Sequence, residues 1–183
     1  MLHMNFTPFP TIETDRLVLR LITKDDVKDV FAIRSNPKTM QYIPRPIAQT
    51  HDDAMAIINM ILGFINNNER INWVITEKGN NKLLGIIGYV NINNDSNRAE
   101  VGYVMNQDYH RKGYMLESLN AVLDYGFKVM KAHVIEAVIR TENTASVKLV
   151  KKAGFIREAM FRDYINFNGY HNAYVYTLPN PEE

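Results

Sequence analysis

The chain has 183 residues, 46% hydrophobic and 22% charged, with a formal net charge of +1. That is the length of one domain with a substantial core, and its charge exerts no broad pull on nucleic acid or on a membrane surface. Cysteine is absent, which removes disulfides, thiolate metal sites and a cysteine nucleophile, and the five histidines are scattered without metal-ligand spacing.

In chain order, Arg16 to Ile22 alternates as a short strand. Thr23 with Asp26 reads as a variant capping box. Val27, Val30, Phe31 and Arg34 then follow helical spacing, so a first helix is predicted to about Ser35, ahead of Pro37. Pro44-Arg45-Pro46 reads as a loop. Thr50 with Asp53 repeats the capping signal, and Ala54, Ile57, Ile61 and Ile65 line one face of a second helix. The period then changes to two. Ile71 to Glu77, Leu83 to Ile92 and Ala99 to Met105 read as strands separated by polar turns, and the apolar run from Leu83 to Val90 predicts a central position in the sheet. Leu116, Leu119, Leu123, Phe127 and Met130 space as a buried helix stripe, and Val134 to Arg140 is another strand. Asn143 opens a helix carrying Ala145, Leu149 and Ala153 on one face and ended by Gly154. Phe155 to Met160 and Ala173 to Leu178 are the last strands. The predicted order is β-α-α-β-β-β-α-β-α-β-β: an α/β domain with a mixed sheet over residues 11–179, free of repeats, linkers or a membrane-length apolar run. The N-terminal residues lack a signal-peptide pattern, and a cytoplasmic location is expected.

The segment that carries chemistry is Ala99 to Leu119, a strand followed by the basic turn His110-Arg111-Lys112-Gly113-Tyr114-Met115 and the start of an amphipathic helix. A glycine-containing basic turn at a helix N-terminus offers main-chain N–H groups to an anion and suits a pyrophosphate. No Gly-x-Gly-x-x-Gly follows the first strand, so a Rossmann dinucleotide site is disfavoured, and no Gly-x-Ser-x-Gly elbow is present.

With these segments in this order, the chain resembles the GNAT superfamily of N-acetyltransferases over nearly its whole length, and within it the Rim-type group that includes ribosomal-protein N-terminal acetyltransferases. Glu13-Thr-Asp-Arg-Leu-Val-Leu-Arg20 resembles the opening strand and Ala99-Glu-Val-Gly-Tyr-Val104 the fourth strand. His110 to Met115 stands where the superfamily has Gln/Arg-x-x-Gly-x-Gly/Ala. Arg140-Thr-Glu-Asn-Thr-Ala-Ser146 with Lys151-Lys-Ala-Gly-Phe155 resembles the second cofactor segment, and Tyr174-Val-Tyr-Thr-Leu178 the final strand. Three positions depart from the pattern: His110, Met115, whose bulk would crowd the phosphates if it faced them, and Val150, near where many members place a tyrosine acid.

The resemblance implies acetyl-CoA as cosubstrate, without a metal. Its pyrophosphate would rest on the N–H groups of Lys112, Gly113, Tyr114 and Met115, with charge from Arg111 and Lys112, and its pantetheine arm beside Val104, Met105 and Asn106. Solvated turn residues are the alternative for the basic pair. Asn143 would bond the pantetheine amide or serve only as a helix cap. Glu100, which shares a strand face with Gly102 and Val104, is the candidate base, against the alternative of a carboxylate paired with a nearby basic group. Ser146 is a candidate acid toward the leaving thiolate, or a small polar residue of a first helical turn. Tyr109, Tyr114 and Trp73 read as packing residues, and Lys148, Lys151 and Lys152 as a solvated face. Without cysteine, direct transfer in a ternary complex is expected. The acceptor is read as a protein or peptide α-amine; the alternatives are a small amine (polyamine, amino sugar or amino acid) or a CoA-binding module with little catalysis. A homodimer covering an edge strand is a further expectation.

Overall fold

The computed structural model describes residues 1–166 and 169–182. Its strands are β1 (Ile12–Glu13), β2 (Leu17–Arg20), β3 (Ile71–Glu77), β4 (Gly85–Asn93), β5 (Arg98–Met105), β6 (Val134–Arg140), β7 (Ile156–Asn166) and β8 (Gly169–Pro179). The helices are α1 (Val27–Arg34), α2 (Pro37–Met40), α3 (His51–Asn66), α4 (Tyr114–Lys128) and α5 (Thr144–Lys152). One sheet holds all eight strands in the order β1-β2-β3-β4-β5-β6-β8-β7. Every neighbouring pair is antiparallel except β5 and β6, which run parallel after the α4 crossover.

Two elements go beyond the sequence reading. β1 is a two-residue bridge, too short to show a period. α2 is a single turn opened by Pro37, whose missing N–H costs nothing at that position, and capped by the Asn36 side-chain Oδ1, which accepts from Lys38 and Thr39 N–H. The closing hairpin is also longer than expected: Phe161, Arg162 and Asp163 on β7 and Gly169, Tyr170 and Asn172 on β8 are exposed and so carry no burial pattern. Two helix faces are rotated from prediction. α3 buries Ile58 where Ile57 was expected, and α5 buries Val150 while Ala145 is exposed. Both capping carboxylates act as read: Asp26 accepts from Thr23 N–H at 2.8 Å and Asp53 from Thr50 N–H at 2.9 Å.

The core lies on both faces of the sheet. Trp73 is fully buried, donates its indole N–H to Pro10 O at 2.7 Å and stacks edge-on against Tyr125 of α4. Tyr89 donates to Val122 O of α4 at 2.8 Å. Since Trp73 stands opposite Ile87 and Ile87 opposite Tyr103, these three side chains share the α4 face. Gly88, Gly102 and Val104 therefore present the opposite face, toward α3.

Candidate active site

The parallel pairing of β5 with β6 stops at Glu100 opposite Glu136. Beyond it Val101 to Met105 stay paired with β4 alone, while β6 continues beside β8. The sheet thus opens between β5 and β6. The C-terminal end of β5 leads straight to the basic turn and α4.

The turn is built to present main-chain donors. Arg111 has φ +63° and Gly113 φ +81°, left-handed values that bring successive N–H groups to one concave side. Gly113 is the N-cap of α4 and offers no capping side chain, so among the described residues the first-turn N–H groups, beginning at Tyr114, have no side-chain cap. Arg111 and Lys112 are exposed, and the Lys112 ammonium sits 4.9 Å above the Tyr109 ring. Met115 is half-buried and packed against the core, which keeps its bulk off the concave side. Tyr114 likewise turns its hydroxyl to Glu77 and its ring to the Arg16 guanidinium. The turn therefore fits a pyrophosphate despite both departures: His110 faces back and places its Nε2 3.0 Å from Met105 O.

Arg16 fastens this turn from outside, a role that sequence spacing alone did not show. Its guanidinium donates to Lys112 O at 3.0 Å and bonds Glu117, while its main-chain N–H reaches Glu117 Oε1 at 3.0 Å. Thr14 donates to the same carboxylate at 2.6 Å. Burial raises the Glu117 pKa, but the bonds from Thr14 and Arg16 outweigh it and hold it below its ordinary value.

Along the open edge, Asn106 N–H is spent on Leu84 O at 2.9 Å. Ladder alternation then turns the Met105 peptide groups toward the opening, so Met105 is the member of the Val104–Met105–Asn106 set whose N–H faces it. Val104 instead lines the α3 side. On the far arm, Asn143 Oδ1 accepts from Ser146 N–H at 3.2 Å as the cap of α5, leaving its amide NH2 for other use.

Glu100 lies where the strands part. Among the described residues Glu100 forms no ion pair: Arg98, on the same strand face, pairs with Glu136. Glu100 Oε2 instead accepts from Asn91 Nδ2 at 2.5 Å. A bulge makes this possible. Register shifts between Tyr89 and Asn91, so Asn91 stands opposite Glu100. Burial pushes the Glu100 pKa up and Glu136 adds to the rise; Asn91 and the charge of Arg70 pull it back part of the way. A carboxylate held by one neutral donor, with its pKa raised, is chemically suited to take a proton.

Tyr103 is the residue the sequence reading passed over. Its hydroxyl lies 2.5 Å from Ser146 Oγ, bridging β5 and α5 across the opened sheet. Burial pushes its pKa up to about 12, with the Ser146 bond pulling the other way. The hint in the sequence was its place in Ala99-Glu-Val-Gly-Tyr-Val104 on the strand face opposite Glu100. Val150, where a tyrosine acid was looked for, is fully buried in the core. Lys148, Lys151 and Lys152 are exposed.

On the α3 side a cavity of about 150 Å³ is walled by Met60, Ile61 and Phe64 of α3 and by Ile86, Gly102 and Val104 of the sheet. Arg34, Arg45 and Arg70 also line it. A shallower polar depression of about 510 Å³, lined by Asn68, Glu69, Asn91 and Asn94 among others, shares Arg70 with it. Among the described residues no group of three or more His, Cys, Asp or Glu side chains is placed to hold a metal ion, and no helix is long and apolar enough to cross a membrane.

An open seam between parallel strands, ending in a turn whose main-chain donors could hold an anion, is the arrangement that the resemblance implies for an acyl-CoA-dependent acyltransferase. Comparison with known proteins agrees: the profile described as "Acetyltransferase (GNAT) domain" matches residues 16–156, and the chain belongs to that family. It is 33% identical over 96% of its length to a Bacillus subtilis (strain 168) relative described as "Uncharacterized N-acetyltransferase YoaA", covering 99% of that protein. A solved structure, a GNAT-family acetyltransferase from Bacillus anthracis, superposes with a TM-score of 0.84 at 32% identity, over 95% of this chain and all (100%) of that one. Lower in identity stand two Escherichia coli (strain K12) enzymes. The [Ribosomal protein uS5]-alanine N-acetyltransferase is 24% identical over 96% of this chain and 93% of its own length; the spermidine N(1)-acetyltransferase is 23% identical over 85% and 81%. The protein is an N-acetyltransferase whose acetyl donor is acetyl-CoA.

Proposed function

We propose that this enzyme acetylates the α-amine of a peptide or protein N-terminus. The observation that carries the reading is the make-up of the cavity on the α3 side: three arginines and no carboxylate line it, and the carboxylate nearest in role, Glu100, lies within electrostatic reach of one of them, Arg70. A polyamine needs the reverse, several acidic groups along its length. The second E. coli relative takes spermidine by its name, the first an alanine of a ribosomal protein.

The energetics point the same way. An α-amino group of pKa about 7.7–8.0 is roughly a tenth neutral at pH 7, a deficit of about 1 kcal/mol, whereas a lysine near 10.4 faces about 4–5 kcal/mol. A single carboxylate with a modestly raised pKa serves the first task better than the second.

In this reading acetyl-CoA, when bound, supplies the activated acetyl group. The chain's own residues do the rest. The Lys112–Met115 turn and Arg111 hold the pyrophosphate, and the Asn143 amide and the strand around Val104, Met105 and Asn106 align the pantetheine arm. The Met105 N–H points to the seam as a donor for a developing oxyanion. Glu100, steadied by Asn91, accepts the proton of the incoming amine from the α3 side. Tyr103, backed by Ser146, holds a proton on the α4–α5 side, where the leaving thiolate needs one.

The test is acetyl transfer from acetyl-CoA to a panel of N-terminally free peptides, each containing an internal lysine, with spermidine as competitor. Mass spectrometry of the products is expected to locate the acetyl group on the α-amine. Acetylation confined to lysine, or spermidine as the preferred acceptor, overturns the reading.

A further inference from the structure

The cavity that receives the acceptor holds more positive charge than any carboxylate beside it cancels. Arg34 closes the C-terminal end of α1, and Arg45 follows on the loop held to α1 by Ala48 N–H bonding Arg34 O at 3.0 Å. Both line the cavity with Phe64 and Val104. Among the described residues neither forms an ion pair: the five pairs present join Arg16 to Glu117, Arg20 to Asp26, Lys78 to Glu13, Arg98 to Glu136 and Lys128 to Asp124. Among the described residues Arg34 Nε is buried without a hydrogen-bond partner, and its Nη1 has only Met40 Sδ, at 3.9 Å. Burial and the nearby charge of Arg45 bring the Arg34 pKa down to about 10. Arg70 is differently occupied, since it lies 4.5 Å over the Phe64 ring and within electrostatic reach of Glu100.

A guanidinium at the last turn of a helix complements the dipole from the surface. That role does not call for burial beside a second arginine in a cavity walled by apolar side chains. A desolvated Arg34 guanidinium with the exposed Arg45 as its neighbour and no counter-charge is costly, and an arriving anion relieves the cost while giving the planar donor fork its partner.

Resting on the reading that this cavity receives the acceptor, we propose that Arg34 and Arg45 recognise an anionic group, a carboxylate or a phosphate, carried by the acceptor within about a residue of its amine. The cavity's size suits this: about 150 Å³ admits a group on the scale of a benzene ring, so one side chain fits and a folded surface does not. The favoured acceptor is an N-terminus with an acidic or phosphorylated residue at its first or second position.

The experiment compares matched hexapeptides differing only at position two, Asp against Asn, phosphoserine against serine, and Lys, with free aspartate as the small-acceptor arm. Expected are kcat/KM values at least about tenfold higher for Asp than for Asn, the difference lying in KM and shrinking with added salt. Arg45→Glu, on the exposed loop, is expected to invert the Asp-over-Lys preference while leaving the acetyl-CoA dissociation constant within about twofold; Arg34→Gln is the companion variant. Calorimetric titration of the CoA-saturated enzyme with the Asp and Asn peptides separates the two readings. Tighter binding of the Asp peptide without acetyl transfer upholds the arginine site and removes the acceptor assignment. Equal binding and equal turnover of the two peptides, or an Arg45→Glu variant with unchanged preference, overturns the proposal. Free aspartate outcompeting every peptide keeps the charge recognition and moves the acceptor to a small amino acid.

Discussion

The Tyr103 hydroxyl stands 2.5 Å from Ser146 Oγ, so the two arms of the opened sheet are joined by a pair of hydroxyl groups. With its pKa near 12, Tyr103 keeps its proton throughout the neutral range. Tyr103→Phe is expected to lower kcat by about 10²-fold, the lower range for loss of a general acid, with the acetyl-CoA dissociation constant little changed. Ser146→Ala should cost less, since water can replace the serine. Steady-state kinetics beside calorimetric binding checks both; equal losses in binding and turnover would make the pair structural.

As the proposed base, Glu100 is expected to set the acid limb of the pH profile. Its raised pKa places the midpoint of kcat/KM above the ordinary carboxylate range, and Glu100→Gln should abolish that limb along with about 10²-fold of the rate. Asn91 favours the charged form, so Asn91→Ala is expected to move the limb to higher pH. The stability sign is opposite to that of a salt-bridged acid. A carboxyl whose folded pKa exceeds its unfolded value contributes stability that is complete below the unfolded pKa and lost as pH rises through the folded one. Glu100→Gln should therefore unfold at a higher temperature than the parent at pH 8 and show little gain at pH 4. Differential scanning calorimetry at the two pH values reads this directly.

The long apolar runs and capping boxes made most of the fold legible: β6 is Val134–Arg140 as read, and Thr50 with Asp53 opens α3. What could not be read depends on tertiary register. The bulge at Tyr89/Asn91 is invisible in the sequence, yet it decides that Glu100 meets Asn91. Tyr103 and Ser146, 43 positions apart, meet because α5 returns across the opened seam. Arg34 does end the helix stripe of α1, but that it also lines the α3-side cavity could not be read from the spacing. The backbone of the basic turn was the easier part: the glycine read ahead of the helix is the left-handed N-cap of α4.

That turn gives a sharp backbone prediction. Gly113 has φ +81°, and a side chain there would also approach Arg16 Nη2 at 3.2 Å. A left-handed conformation costs an L-residue about 1–2 kcal/mol, so Gly113→Ala should weaken acetyl-CoA about 5–30-fold by isothermal titration. Arg16→Ala releases the same turn from outside by losing the bonds to Lys112 O and Glu117, and should weaken binding in the same direction. Acceptor KM is expected to stay within about twofold in both, because neither residue lines the α3 cavity.

The helix that begins at this turn depends on close contact further along. Gly126 packs so tightly that a Cβ there would lie 2.0 Å from Tyr89 Oη and 2.8 Å from Ile135 Cδ1. Tyr89 is fully buried, and its hydroxyl is fixed on Val122 O. Gly126→Ala therefore overpacks the α4–β4 contact, at about 1–3 kcal/mol, although alanine is the better helix former. Tyr89→Phe alone forfeits one buried hydrogen bond, about 0.5–1.5 kcal/mol. Because that oxygen is the nearest of the clashing atoms, ahead of Ile135 Cδ1 and Tyr89 Cζ at 2.8 Å, the double variant should be destabilised by less than the sum of the two singles, a coupling of about 0.5–3 kcal/mol. Urea unfolding of the four proteins measures it; strict additivity would mean that α4 shifts bodily to admit the methyl group, and the turn at its N-terminus would then lose acetyl-CoA affinity as well.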